Sequence, residues 1–169
     1  MTTAELIGGL MVRDLGAVRR ELDAYPAEAD LWTLTDTIPN SAGTLALHLT
    51  GNLRHYVGAV LGGTGYVRDR GAEFARRNVP RAELLRGLDE AIADVGATMS
   101  RVTDAQLATT FPETVAGQRV STLDMLMHLA VHLTYHLGQI DYHRRLLGGS
   151  AASIGAVSPA QMRSATPAA

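Results

Sequence analysis

The sequence predicts an all-α protein, a four-helix bundle with one long crossover link. Three observations predict it. Four stretches carry apolar residues at helical period, each stretch is bounded by capping or breaking residues, and strand-like alternation is nearly absent from the 169 residues.

The first helix is predicted from about Ala4 to Ala24, with Leu6, Leu10, Leu15, Val18 and Leu22 on one stripe and Pro26 just beyond it. The second runs from about Ser41 to Leu61, capped by Asn40 or Ser41 and ended by Gly62-Gly63. The third starts at Pro80 and continues to about Arg101, with Leu84, Leu85, Leu88, Ile92, Val95 and Met99 facing inward. The fourth runs from Ser121 to Leu147; Ser121 with Asp124 resembles a capping box, and Gly148-Gly149 closes the helix.

Residues 25–40 and 62–79 form long links, and the second has the length for a crossover. Residues 102–120, with Ala116-Gly117 between Val115 and Val120, suit either a small hairpin or an irregular crossing loop. Residues 1–149 are thus expected to form the bundle and 150–169 a loosely ordered tail of small and polar residues.

Composition narrows the function. The net charge of −2 carries no footprint for nucleic acid or an anionic membrane. No apolar run nears the ~20 residues of a membrane span, and the N-terminus mixes charges where a signal peptide needs an apolar stretch. A cytoplasmic location is the expectation. Cysteine is absent, which removes disulfides, thiolate ligands and a cysteine nucleophile. All fifteen basic residues are Arg, so no lysine can form a Schiff base or act as a general base. Gly8-Gly9 inside the first helix weakens it and points to the close approach of a neighbour, such as a second copy across a dimer.

The stretch LMHLAVHLTYHLGQIDYH, residues 126–143, holds four of the six histidines, and His128, His132 and His136 recur every fourth residue. With His132 at zero on a helical wheel, Leu126, Leu129, Ala130, Leu133, Leu137 and Ile140 span about 60° to 160°, the core stripe. His136 falls at about 40°, beside that stripe, and His128 at about −40°, turned away from it. On the second helix His48 borders the stripe of Leu45, Ala46, Leu49, Leu53, Tyr56 and Val60, with Asn52 at about 40° and His55 at about −20°. Both helices place imidazole at the edge of an apolar face. An i, i+4 histidine pair with a third imidazole from a neighbouring helix makes a facial metal set with open positions; polar packing at a core edge is the competing account of the same pattern.

Leu133 stands where an HExxH protease carries its glutamate, and no Glu-x-x-His di-iron motif occurs. Gln139 and His143 share the histidine edge at about −20° and 20°. His143 lies about 10.5 Å along the axis from His136, too far for the same ion. It is assigned with Asn52, His55, His128 and Gln139 to second-layer or cavity roles. Arg68, Asp69, Arg70 and Glu73 are read as a local ion network fixing the crossing chain, with anion recognition by the arginines as the other use. Trp32 is read as a packing anchor.

HLAVHLTYHLGQI resembles the signature of the DinB-like superfamily, an H-x3-H pair with a Gly-Gln-Ile tail. LALHLTGNLRHYVGAVLGG resembles that superfamily's second helix, and VRDRGAEF the link that follows; the resemblance as a whole spans roughly residues 5–149. The resemblance implies a bundle with an unusual crossover order and a divalent metal held by His48, His132 and His136. Many members read HRGQ after the last histidine, whereas this chain has Leu137. The resemblance also implies a homodimer and a small-molecule substrate, and the superfamily includes mycothiol- or bacillithiol-dependent transferases and isomerases.

The function expected is a metal-dependent enzyme using Zn, Ni or Fe, transferring a low-molecular-weight thiol or hydrolysing a small substrate. The alternative is a non-catalytic metal- or small-ligand-binding bundle in stress response. A purely structural dimeric bundle is the third reading.

Overall fold

Thr2 opens the first helix. Its hydroxyl accepts the backbone N–H of Glu5 at 3.1 Å, and the Glu5 carboxylate accepts the backbone N–H of Thr2 at 2.8 Å. This reciprocal cap satisfies two of the N–H groups that a helix start leaves unpaired. Helix α1 then runs Thr3–Asp23. The computed structural model describes residues 1–35, 37–148, 150–152, 154, 158–162 and 164–167.

The buried face of α1 is Ala4, Ile7, Met11, Leu15, Val18 and Leu22. The expected stripe was wrong at its start, because Leu6 and Leu10 are 43% and 41% exposed. Gly8 explains the rotation. A β-carbon there would sit 2.5 Å from the Met99 Cβ, so Gly8 belongs to the contact face, and Leu6 and Leu10 stand roughly 160° round the helix from it. The close neighbour that Gly8 admits is therefore α4 of the same chain.

Ser41 caps α2, Ala42–Leu53, by accepting the Thr44 N–H. The helix continues as a π-helical segment, Arg54–Leu61. An i→i+5 turn advances only roughly 80° per residue, which brings Val57 back onto the core stripe and carries Tyr56 and Val60 off it. Val57 is fully buried, and Tyr56 and Val60 only partly so. An ideal α-helix would have done the reverse.

Helix α3, Arg70–Ala75, lies within the link 62–79, capped by Asp69 accepting the Ala72 N–H at 2.8 Å. Helix α4 is Arg81–Met99 with Pro80 at its cap, α5 is the single turn Asp104–Leu107, and α6 is Thr122–Leu146 capped by Ser121. Between α5 and α6, Phe111 donates to Val120 and Val115 and Gln118 exchange bonds around Ala116 and Gly117, both at positive φ (49° and 75°). This is a small hairpin-like turn of isolated bridges; among the described residues no strand forms.

Around the bundle the long helices run α1, α4, α2, α6, so the successive helices α1 and α2 are diagonal. Register gives the directions. Gly8 meets Met99 and Arg19 meets Asp89, so α1 and α4 are antiparallel. Thr50 meets Gly87, and Gly58 meets Asp94, so α2 and α4 are parallel neighbours. The link 62–79 must therefore return the full length of α2, which is the crossover. Trp32 anchors the link before α2, its ring filling the space over Gly43 and its N–H donating to the Val79 carbonyl.

A fully buried ion pair joins the ends of α1 and α6. Arg144 binds Glu21 and also donates to the carbonyls of Ser150 and Ala152, while the Ile154 N–H donates to Glu21. The start of the tail is tethered there. Gly149 and parts of the tail lie outside the described residues. Removing one partner of a buried pair strands the other charge, so Arg144→Met should destabilise the chain by roughly 3–5 kcal/mol in urea unfolding. Glu21→Leu/Arg144→Met together should cost less than Arg144→Met alone.

Candidate metal centre

His48 stands in the middle of α2, and His132 and His136 stand one turn apart on α6. The two helices run antiparallel, so their imidazole edges face each other at one level. His48 Nε2 lies 3.2 Å from His132 Nε2, and His136 Nε2 lies 3.1 Å from His132 Nε2. All three ligand atoms fall within 4.8 Å of one another. With metal–nitrogen bonds of ~2.0–2.1 Å, two ligand nitrogens on one ion stand roughly 2.9 Å apart at right angles and roughly 3.4 Å apart at a tetrahedral angle. The two spacings to His132 lie in that range.

The outer nitrogens fix the inner ones. His48 Nδ1 donates to Glu73 Oε2 at 3.0 Å, and His136 Nδ1 donates to Gln139 Oε1 at 2.6 Å. A neutral imidazole that gives its proton to one side has a bare lone pair on the other. Two Nε2 lone pairs therefore point at the same place as the His132 Nε2. A divalent ion fits this donor set, since it accepts all three lone pairs at once, whereas a lone proton on His132 Nε2 would have to be shared between the other two.

Glu73 is held in turn. Arg68 donates to both of its oxygens, at 2.6 and 2.8 Å. Burial alone would raise the Glu73 carboxyl, but the bonds from Arg68 and His48 outweigh it and hold the group below its ordinary value. Gly51 makes the room, since a β-carbon there would lie 2.1 Å from Glu73 Oε1. Phe74 closes the other side, its ring 5.1 Å from that of His48.

The remaining expected residues are distributed differently. His128 is exposed and stacks on His132 at 5.9 Å. Asn52 is buried one turn from His48, and its Oδ1 has no partner. His55 is drawn to the hairpin, where it pairs with Glu113 at 2.9 Å. The structure does not bring His143 to the cluster. Its Nε2 donates to the Thr33 carbonyl, leaving Nδ1 to accept from the Tyr25 hydroxyl at 2.7 Å. Burial pushes the Tyr25 hydroxyl's pKa up, consistent with its role as donor. At the height of His143 the 25–40 link covers the edge on which the wheel places it.

The family profile described as "Protein of unknown function (DUF1572)" matches residues 12–157. The chain belongs to the DUF1572 family. Its fold is DinB-like: a crystal structure of a DinB-like protein from Bacillus cereus ATCC 10987 aligns with a TM-score of 0.62, at 20% identity, over 82% of this chain and 89% of that one. None of the curated proteins compared with it matches the chain.

In this DUF1572 chain, the reading of Arg68 and Glu73 as an ion network is incomplete. Their pair reaches a histidine of the cluster, and Asp69 instead caps α3 while Arg70 lies over the Phe74 ring. A legible signal was Gly51, a helix-interior glycine between two polar edge residues, which marks close approach of another group.

Burial first, then the His136, His48 and His128 imidazoles, lowers His132 from its ordinary 6.5 to about 4. Burial also lowers His136; the bond to Gln139 raises it, and His48 lowers it. Between pH 6.5 and 4 His132 is neutral when folded and protonated when unfolded. The unfolded chain binds more protons there, so stability falls as pH drops through the window. In metal-free protein, the urea midpoint of wild type should fall more steeply from pH 6.5 to 4 than that of His132→Gln.

Proposed function

We propose that this DUF1572 protein is a metal-dependent enzyme holding Zn²⁺, Ni²⁺ or Fe²⁺ on His48, His132 and His136 as neutral imidazoles. The observation that carries the reading is the convergence of three Nε2 atoms, with the Nδ1 groups of His48 and His136 bonded to the acceptors Glu73 and Gln139. When bound, the ion supplies a charge that lowers the pKa of a thiol or water in an open position. The chain's own residues do the rest of the work. Glu73 orients the His48 ring and fixes its tautomer; Arg68 keeps that carboxylate ionised and in place; Gln139 does the same for His136.

The sequence contains no cysteine, so a thiol nucleophile must arrive as a low-molecular-weight thiol. Thiol transfer to a small substrate is the reaction this favours, with hydrolysis as the neighbouring one. One observation favours a second reading, a metal-binding bundle without turnover. The carboxylate bonded to the cluster, Glu73, is occupied by Arg68 and His48 and is not placed to act as a general base.

Elemental mass spectrometry of untagged protein should find about one metal per chain in wild type, and none in His48→Ala or His132→Ala. No metal after reconstitution with Zn²⁺, Ni²⁺ and Fe²⁺ would sink the reading. A metal-loaded protein that turns over only with an added thiol would separate transfer from hydrolysis, and metal without any turnover would favour the second reading. Glu73→Ala should weaken Zn²⁺ binding roughly 10–100-fold in chelator competition while leaving the helix content unchanged.

A further inference from the structure

Two of the three clustered histidines have their outer nitrogen engaged, and the third does not. His132 Nδ1 is buried without a hydrogen-bond partner. Asn52 Oδ1 is buried without one as well, in a residue only 8% exposed. Among the described residues these are the two such side-chain atoms on α2 and α6.

Their placement relates them. Leu45 shares a cavity wall with Tyr142 and His143, and His48 meets His132 and His136, so each turn forward on α2 faces a turn back on α6. One turn on from His48, Asn52 faces the part of α6 from His132 back toward His128. On the wheel it lies roughly 40° from His48, on the side of the core.

Their chemistry is complementary. A His132 that offers Nε2 to an ion must carry its proton on Nδ1, and that atom then needs an acceptor. A buried carboxamide oxygen needs a donor. We propose that Asn52 is the positioning residue of His132, taking its Nδ1 proton through one bridging water, since the two atoms are not bonded to each other directly. Glu73, Asn52 and Gln139 then form a complete outer set, one acceptor for each of His48, His132 and His136. This rests on the metal reading above.

The set is graded in charge. His48 leans on a carboxylate that Arg68 neutralises, and the two α6 histidines lean on neutral amides. The three imidazoles are thus oriented without adding net negative charge around the ion. A site of this kind retains the ion's positive charge for an anionic ligand such as a thiolate.

The test uses Asn52→Leu, which keeps the volume and removes the acceptor, and Asn52→Asp, which keeps an acceptor. Zn²⁺ affinity is measured by chelator competition, and the His132 ring proton is followed by imidazole ¹H–¹⁵N spectra of the Zn²⁺-loaded protein, assigned with His132→Gln. Asn52→Leu should bind Zn²⁺ roughly 10–100-fold more weakly, and its His132 Nδ1 proton should exchange rapidly. Asn52→Asp should retain affinity within a few-fold of wild type, together with a slowly exchanging proton. Equal affinity in wild type and Asn52→Leu, or a wild-type His132 Nδ1 proton that already exchanges rapidly, overturns the assignment while leaving the metal reading standing. A wild-type chain that binds none of Zn²⁺, Ni²⁺ and Fe²⁺ overturns both.

Discussion

The parallel packing of α2 on α4 is the constraint from which the candidate site follows. Two consecutive helices joined by a short turn would lie antiparallel. Here the chain must travel back along α2 before α4 can start, and that return segment carries Arg68, Glu73 and Phe74 past His48. The crossover is thus more than a connection. It delivers a carboxylate to the outer nitrogen of a histidine on a helix that presents no carboxylate of its own at that level. Gly51 permits the delivery, because any side chain there would occupy the volume of the Glu73 carboxylate.

Electrostatics and packing act in the same direction at the cluster. Burial and the neighbouring imidazoles make a second proton on His132 or His136 unfavourable. Neutral imidazoles with lone pairs aimed at one point are poor partners for each other and good partners for a cation. The apolar stripes of α2 and α6 hold that arrangement. Leu49, Leu53, Leu129, Leu133 and Leu137 are all nearly or fully buried, and their packing leaves the histidine edges no freedom to separate.

The π-helical segment shows how a local change in pitch redistributes function along one helix. Wider turns after Leu53 bring Val57 to the core and let Gly58 press against Asp94 on α4. His55, on the same α2 edge as His48 by simple periodicity, is carried toward the hairpin and pairs with Glu113. His48 and His55, which a uniform wheel places on one edge, therefore divide between the cluster and the hairpin.

Much of this was legible in the sequence. The four long helices follow from periodicity and caps, since each amphipathic stripe must bury itself against another. That His48 could meet His132 and His136 was legible in their places at the edges of those stripes, and the resemblance to DinB-like proteins named the three as one set. Tertiary structure alone decided which outer groups meet them. Glu73 reaches His48 from 25 positions away along the sequence because two parallel helices force a long return. His143 meets the 25–40 link instead of the cluster, and Leu6 and Leu10 turn outward because Gly8 lets α4 in. A single helix encodes the direction of its side chains; what waits in that direction is set by chain crossings that periodicity does not contain.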